Sequence, residues 1–153
     1  MLKRKIEKKL IAWKNTENRK PLIIKGCRQC GKTFSVLDFA KKNYKNVVYL
    51  NFFENPDYVA VFSGSLEVDT IVMMLSALLG KEAVFESGNT VLVLDEIQEC
   101  PEARTALKFF RMDFSSFSQH PSHGVGAANG GHHTAHPAAV SHLVDLHSRP
   151  GQL

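Results

Sequence analysis

The chain has 153 residues, a formal net charge of +4 at pH 7 and 44% hydrophobic residues, which suits a single globular domain. It contains no run of about twenty apolar residues, so the sequence predicts no membrane-spanning helix. The basic N-terminus lacks the apolar core and cleavage site of a secretory signal, and three cysteines, an odd number, argue against a disulfide framework. Together these features exclude membrane and disulfide-stapled classes and favour a cytoplasmic protein.

Residues 2–14 predict an amphipathic helix. One face of this segment is apolar and carries Leu2, Ile6, Leu10 and Trp13. The other face is rich in lysine and could steer nucleic acid or anionic lipid. The simpler interpretation is that the apolar face packs on the domain while the lysines stay in water. Residues 15–20 follow as a polar loop, so residues 1–20 form a basic helix and linker.

A phosphate-binding loop follows the first predicted strand, residues 21–25. Residues 26–33 spell G-x-x-x-x-G-K-T, a Walker A pattern, and a helix is predicted over 32–42. Glycines let backbone N–H groups curl around a phosphate, and the helix adds its positive end. Lys32 can reach the β- and γ-phosphates, and the Thr33 hydroxyl can ligate Mg²⁺. The predicted nucleotide-binding residues are Gly26, Cys27, Arg28, Gln29, Cys30, Gly31, Lys32, Thr33 and Phe34.

The same loop carries a second spacing, Cys27-x-x-Cys30, with Cys100 as a candidate third ligand. A redox dithiol or a zinc half-site uses such spacing. Because phosphate binding already explains the surrounding glycines, lysine and threonine, we interpret both loop cysteines as occupants of its free positions. We still expect oxidation of the pair to strain the loop and weaken nucleotide binding.

A strand, a turn and a helix are predicted before the next motif. Residues 47–52 predict a second strand, and Asn55-Pro56-Asp57 is a turn that can open a helix. Residues 66–79 predict a buried helix that ends at Gly80.

An acidic pair ends the third predicted strand, residues 90–95. The strand is apolar up to Asp95-Glu96, a Walker B pattern typical of a strand buried on both faces of a parallel sheet. Ligands bind at the carboxyl ends of such strands. Asp95 is predicted to hold Mg²⁺, and Glu96 to orient and polarise the attacking water. Pro101 then begins a helix predicted over 102–112.

The composition changes after Asp113. Residues 1–113 carry all but one of the 19 Lys+Arg and all but one of the 15 Asp+Glu. Residues 114–153 are rich in Ser, Gly, Ala and Pro, and we expect a disordered, low-complexity tail because they bury too little apolar area. The cluster His132-His133-x-x-His136 could bind a stray metal ion but has no acid or cysteine nearby. All seven histidines lie in this tail: His120, His123, His132, His133, His136, His142 and His147.

Three segments resemble a known family in more detail than the generic motifs do. They are residues 26–33, residues 48–52 (V-Y-L-N-F) and residues 94–99 (L-D-E-I-Q-E). Together they are similar to prokaryotic AAA-type ATP-binding proteins that carry a further C-terminal domain of unknown function. The resemblance covers about residues 1–113.

The resemblance implies an α/β fold, a three-layer P-loop NTPase with a parallel sheet. It also implies ATP and Mg²⁺ as ligands and a homo-oligomer in intact relatives. Carried over by position, it implies phosphate contacts from Gly26 to Thr33, magnesium at Thr33 and Asp95, and a catalytic role for Glu96. Lys32 is the second predicted catalytic residue, because its charge would neutralise charge that develops on the phosphates.

The pattern departs from the family after Asp113. In the family, the next strand ends in a polar sensor and lies between the P-loop strand and the strand of Asp95. Residues 114–153 show neither that pattern nor an arginine finger. Residues 138–144 could substitute, although Ser141 and His142 suit a dry central strand poorly. We therefore expect an incomplete sheet in a chain truncated or frame-disrupted after Asp113, with a genuine His-rich tail as the alternative.

The sequence thus predicts ATP binding by a partial P-loop domain at residues 21–113, with hydrolysis as its ancestral activity. One alternative is a non-catalytic fragment that binds nucleotide weakly or not at all. Another is a basic nucleic-acid-binding module that uses the first helix. No membrane partner is indicated.

Overall fold

The fold is a parallel β-sheet between two layers of helices. The computed structural model describes residues 2–16, 20–27, 29–86, 88–116 and 142–149. The helices are α1 (Leu2–Lys14), α2 (Lys32–Asn43), α3 (Val68–Leu79) and α4 (Pro101–Ser116), and the strands are β1 (Leu22–Cys27), β2 (Asn46–Asn51), β3 (Thr90–Asp95) and β4 (His142–Arg149). Short 3₁₀ turns lie at Pro56–Phe62, Gly80–Glu82 and Ile97–Glu99. The elements predicted before residue 113 are confirmed, with ends displaced by a few residues.

The four strands are parallel and lie in the order β1-β4-β3-β2. In register, Asn51 at the end of β2 lies opposite Asp95 at the end of β3. Because all strands run the same way, their carboxyl ends meet at one edge of the sheet. The loop after β1 and the acidic pair after β3 therefore lie on the same side of the molecule.

The central position next to β1 is filled by β4, where the sequence led us to expect a disordered tail from residue 114 and an incomplete sheet. Residues 144–149 pair with β1 and residues 142–146 pair with β3, and α4 continues to Ser116. The proposed substitute, residues 138–144, overlaps β4 only at its start. A buried strand edge needs paired N–H and C=O groups, and eight residues without proline can supply them whatever their side chains. Residues 117–141, which include the histidine cluster, and residues 150–153 lie outside the described residues.

β3 is the centre of both cores, and all six of its residues are buried. Side chains alternate along a strand, so Val91 and Val93 face one helical layer while Leu92 and Leu94 face the other. The first core includes residues of α1 and α2, and the second includes residues of α3 and α4. This arrangement gives the three-layer α/β architecture.

Helix α1 packs against the sheet through its apolar face. Leu10 is 1% exposed, and Ile6 and Trp13 pack on the same core, whereas Lys8 and Lys9 are exposed. The expected packing is confirmed for these residues. Lys14 of the last turn donates a 2.7 Å hydrogen bond to the carbonyl oxygen of Asn43, which fixes α1 to the end of α2.

The opposite layer begins with a capped 3₁₀ turn. The side chain of Asn55 accepts a 3.2 Å hydrogen bond from the N–H of Asp57, with Pro56 in the first position. Helix α3 ends at Gly80, whose φ of 56° suits a residue without a Cβ.

Within the described part of the chain, no helix is both long and apolar enough to cross a membrane.

Candidate functional site

The loop between β1 and α2 turns through two residues with positive φ. Gln29 has φ 56° and Gly31 has φ 77°. Gly31 immediately precedes α2, and its carbonyl oxygen accepts hydrogen bonds from the N–H and hydroxyl of Ser35, at 3.1 and 3.0 Å. The first turn of a helix has N–H groups without intrahelical acceptors, and these are suited to an anion. The loop therefore presents the start of α2 at the carboxyl edge of the sheet.

The side chain of Lys32 lies directly over Gly26. A Cβ at Gly26 would approach Cδ of Lys32 to 3.2 Å and Sγ of Cys30 to 3.3 Å, so only glycine leaves this space clear. The Lys32 ammonium donates a 3.2 Å hydrogen bond to the carbonyl oxygen of Gly26, and the residue is 8% exposed. This contact holds a positive charge inside the loop, where it can meet an anion.

Three hydrogen-bond donors converge on the carboxylate of Asp95, which is 3% exposed. Oδ2 accepts from the Thr33 hydroxyl at 2.8 Å and from the Tyr49 hydroxyl at 2.9 Å. Oδ1 accepts from the backbone N–H of Glu96 at 3.0 Å. These bonds offset the cost of burying a polar group. The structure thus brings together Thr33 and Asp95, the two residues predicted to hold magnesium.

Tyr49 and Asn51 at the end of β2 extend this network. The Asn51 amide donates to the Tyr49 hydroxyl at 3.2 Å, and its oxygen accepts from the N–H groups of Phe53 and Glu54, at 3.0 and 3.1 Å. Burial, together with the bond to Asp95, raises the pKa of Tyr49 well above its ordinary value, so the phenol keeps its proton.

The sequence analysis did not single out Tyr49 or Asn51. A signal was present: residues 49 and 51 alternate with the apolar residues of V-Y-L-N-F, so two polar groups share one face near the end of a strand.

Glu96 occupies a left-handed backbone conformation, with φ 53° and ψ 42°. Such a conformation is uncommon for a residue with a Cβ and often occurs at functional sites. The Gln98 amide donates a hydrogen bond to Glu96 Oε2. The other end of that amide, Oε1, is buried and has no hydrogen-bond partner among the described residues. Gln98 is therefore in contact with the predicted water-orienting residue.

The other candidates are dispersed. Phe34 is 64% exposed on α2, and Cys30 is exposed in the loop. Cys100 is buried in the core below α3 and α4, and burial raises the pKa of its thiol. Among the described residues, no three His, Cys, Asp or Glu residues are grouped closely enough to hold a metal ion. The side chain of Cys27 and all of Arg28 lie outside the described part of the chain.

A groove of about 470 Å³ lies between α1 and β1. Its lining is mostly apolar and includes none of the candidate site residues. The lining residues are Ile6, Lys9, Leu10, Leu22, Ile23, Ile24 and Lys25.

The residues at the carboxyl edge fit a nucleotide with its magnesium ion. Gly26 has no Cβ, so the Lys32 side chain can lie against the loop backbone. Thr33 and Asp95 supply hydroxyl and carboxylate oxygens, the ligands that Mg²⁺ prefers. Lys32 supplies the positive charge that a polyphosphate needs.

A parallel α/β sheet with this glycine loop after one strand and an acidic pair after another defines a P-loop protein of the ATPase-like type. The chain belongs to the AAA domain family, whose model matches residues 18–120. The match continues past Asp113, where we ended the resemblance. A comparison with curated proteins found no match.

Proposed function

We propose that the chain binds ATP with Mg²⁺ through residues 26–33 and hydrolyses it, with Glu96 orienting the attacking water. The observation that carries this proposal is the 2.8 Å contact between the Thr33 hydroxyl and Asp95 Oδ2. It joins the start of α2 to the end of β3 at the point where a phosphate-bound metal ion would need oxygen ligands. Membership of the AAA domain family supports the nucleotide as the ligand.

The backbone N–H groups at the start of α2, the Lys32 ammonium and the Thr33 hydroxyl have separate roles in binding. The N–H groups at the start of α2 bind phosphate oxygens, and the Lys32 ammonium exchanges the Gly26 carbonyl for the β- and γ-phosphates. The Thr33 hydroxyl keeps its hydrogen bond to Asp95 while its lone pairs face the metal. Mg²⁺, when bound, neutralises charge on the phosphates. Family resemblance, rather than any contact in this chain, favours adenine over guanine.

For hydrolysis, Glu96 accepts a hydrogen bond from water through the carboxylate oxygen that Gln98 does not hold. The positive φ of Glu96 turns the chain sharply after Asp95. The two adjacent carboxylates can therefore take different roles, metal binding for Asp95 and water orientation for Glu96. Asp95 contacts the Thr33 hydroxyl, whereas the Glu96 carboxylate contacts the Gln98 amide. A competing form of the proposal is a chain that binds ATP without turnover. Residues 114–153 show no arginine-finger pattern, and an arginine finger alone can contribute ~10³–10⁵ in rate.

The test is ATP-dependent thermal stabilisation of the whole chain. A ligand that binds only the folded state at about 100 times its Kd stabilises by about 2.7 kcal/mol. We expect this stabilisation with Mg²⁺ and ATP, and its loss in Lys32→Ala. Lys42→Ala is the matched control, because Lys42 lies on the same helix in an exposed ion pair with Asp38.

A turnover assay then separates the two forms of the proposal. Phosphate release that disappears in Glu96→Gln supports hydrolysis. Stabilisation by ATP without phosphate release supports binding alone. Equal stabilisation of the wild type and Lys32→Ala would contradict nucleotide binding in this loop.

A further inference from the structure

A chain of hydrogen bonds leads from the turn after β2 to the carboxylate of Asp95. The N–H groups of Phe53 and Glu54 fix the Asn51 side chain, Asn51 donates to the Tyr49 hydroxyl, and Tyr49 donates to Asp95 Oδ2. We infer that Tyr49 is a positioning residue for the magnesium site, which holds Asp95 in the orientation needed for metal binding. This inference rests on the proposed function.

The direction of the Tyr49 proton follows from its neighbours. The phenol has one proton to donate and can also accept. Asn51 donates to the Tyr49 oxygen through its amide, because its own oxygen already accepts from two backbone N–H groups. The single phenol proton is therefore left for Asp95, at 2.9 Å.

Tyr49 differs from the other two donors to Asp95. The N–H of Glu96 holds the opposite oxygen, Oδ1. The Thr33 hydroxyl holds Oδ2 but is itself a predicted metal ligand, so its substitution would also remove a ligand. Tyr49 is the side-chain anchor of Oδ2 that takes no part in binding the nucleotide. Partners of this kind orient ligands and typically contribute 10–100-fold to metal affinity when the site depends on them.

If Tyr49 acted only through the packing of its ring, removal of its hydroxyl would leave the magnesium dependence unchanged. The Tyr49 ring packs against the core beneath α1 and α2. Phenylalanine preserves the ring and removes only the hydroxyl, so Tyr49→Phe tests the hydrogen bonds to Asp95 and from Asn51 without changing the ring packing. Tyr58→Phe is the matched control, because the Tyr58 ring packs against the opposite core below α3 and α4.

The experiment measures the affinity of a non-hydrolysable ATP analogue by calorimetry, once across a magnesium titration and once in EDTA. In the magnesium titration, one concentration gives half of the full increase in analogue affinity. For Tyr49→Phe we expect this concentration to rise about 3- to 10-fold, as for loss of the hydrogen bond to Asp95. The affinity in EDTA should stay within about 2-fold of the wild type, because the loop itself is intact. Tyr58→Phe should change neither quantity.

Three results would overturn the inference. If Tyr49→Phe has the same magnesium dependence as Tyr58→Phe, the hydroxyl does not position Asp95. If Tyr49→Phe weakens binding equally with magnesium and in EDTA, its role is structural. If the wild type shows no magnesium-dependent binding, the proposed function fails, and this inference fails with it.

Discussion

The Thr33 hydroxyl donates a 2.8 Å hydrogen bond to Asp95 Oδ2 across 62 positions of the chain. Thr33 lies in the first turn of α2, and Asp95 is the last residue of β3. The contact forms because β3 alternates: Val91 and Val93 face the layer of α1 and α2, and Asp95 continues that series. One residue of register shift would direct Asp95 to the α3 and α4 layer and leave Thr33 without its acceptor.

We predict that alanine at the two glycines of the loop affects different properties, the affinity for ATP at Gly26 and the stability at Gly31. Gly26→Ala places a Cβ 3.2 Å from Cδ of Lys32, so the lysine must move, and we expect weaker ATP binding with little loss of stability. Gly31→Ala meets nothing within 4 Å but must keep φ 77°, and we expect about 1–2 kcal/mol of lost stability. Chemical denaturation and ATP titration measure the two effects separately. Equal losses of stability in both variants would contradict this assignment.

Much of this site could be predicted from the sequence, because each motif is local. The glycine spacing places Lys32 and Thr33 at a helix start, and the apolar run before Asp95 places it at a strand end. The network around Asp95 could not be predicted in the same way. Tyr49 reaches Asp95 only because β2 pairs with β3 in a register that sets Asn51 opposite Asp95.

The contact between Gln98 and Glu96 was missed for a different reason. It depends on the positive φ of Glu96, which the sequence does not indicate because glutamate rarely adopts it. β4 was predicted only in part: the proposed substitute, residues 138–144, shares residues 142–144 with it, because the average composition of residues 114–153 does not show which run can pair on both sides.

We predict that Gln98→Ala lowers ATP turnover about 3- to 10-fold while the affinity for ATP is unchanged. Gln98 holds one oxygen of Glu96, so its loss lets the predicted water-orienting carboxylate rotate. Glu99→Gln is the control, because Glu99 is a neighbouring exposed residue. Steady-state kinetics with a phosphate-release assay measures both constants. A rise in KM with an unchanged kcat would contradict the positioning of Glu96 by Gln98.

Alkylation should distinguish the exposed cysteine of the loop from the buried cysteine of the core. Cys30 is exposed, and its Sγ lies 3.8 Å from the Lys32 ammonium, so alkylation places a bulky group where phosphate is proposed to bind. Cys100 is buried with a raised thiol pKa and should react slowly in the folded chain. We expect alkylation to abolish ATP-dependent stabilisation in the wild type and to have no such effect in Cys27→Ser/Cys30→Ser. Mass spectrometry of the labelled peptides identifies the modified thiol.

Oxidation gives a related prediction for the same loop. A bond between Cys27 and Cys30 should strain the loop and lower the affinity for ATP, and reduction should restore it. An affinity that is unchanged after complete oxidation of both thiols would contradict this expectation.

The last prediction concerns β4, which sets the spacing between the phosphate loop and Asp95. Val144 lies opposite Leu22 of β1 and opposite Val93 of β3. Proline at this central position removes a backbone donor from the ladder and leaves its acceptor unpaired, which should cost about 1–3 kcal/mol, whereas Val144→Ala keeps the N–H. We therefore expect Val144→Pro to be much less stable than Val144→Ala in urea denaturation. Because β1 and β3 would lose their shared partner, the same variant should also lose ATP-dependent stabilisation. Equal stability of the two variants would mean that residues 142–149 do not hold the two halves of the site together.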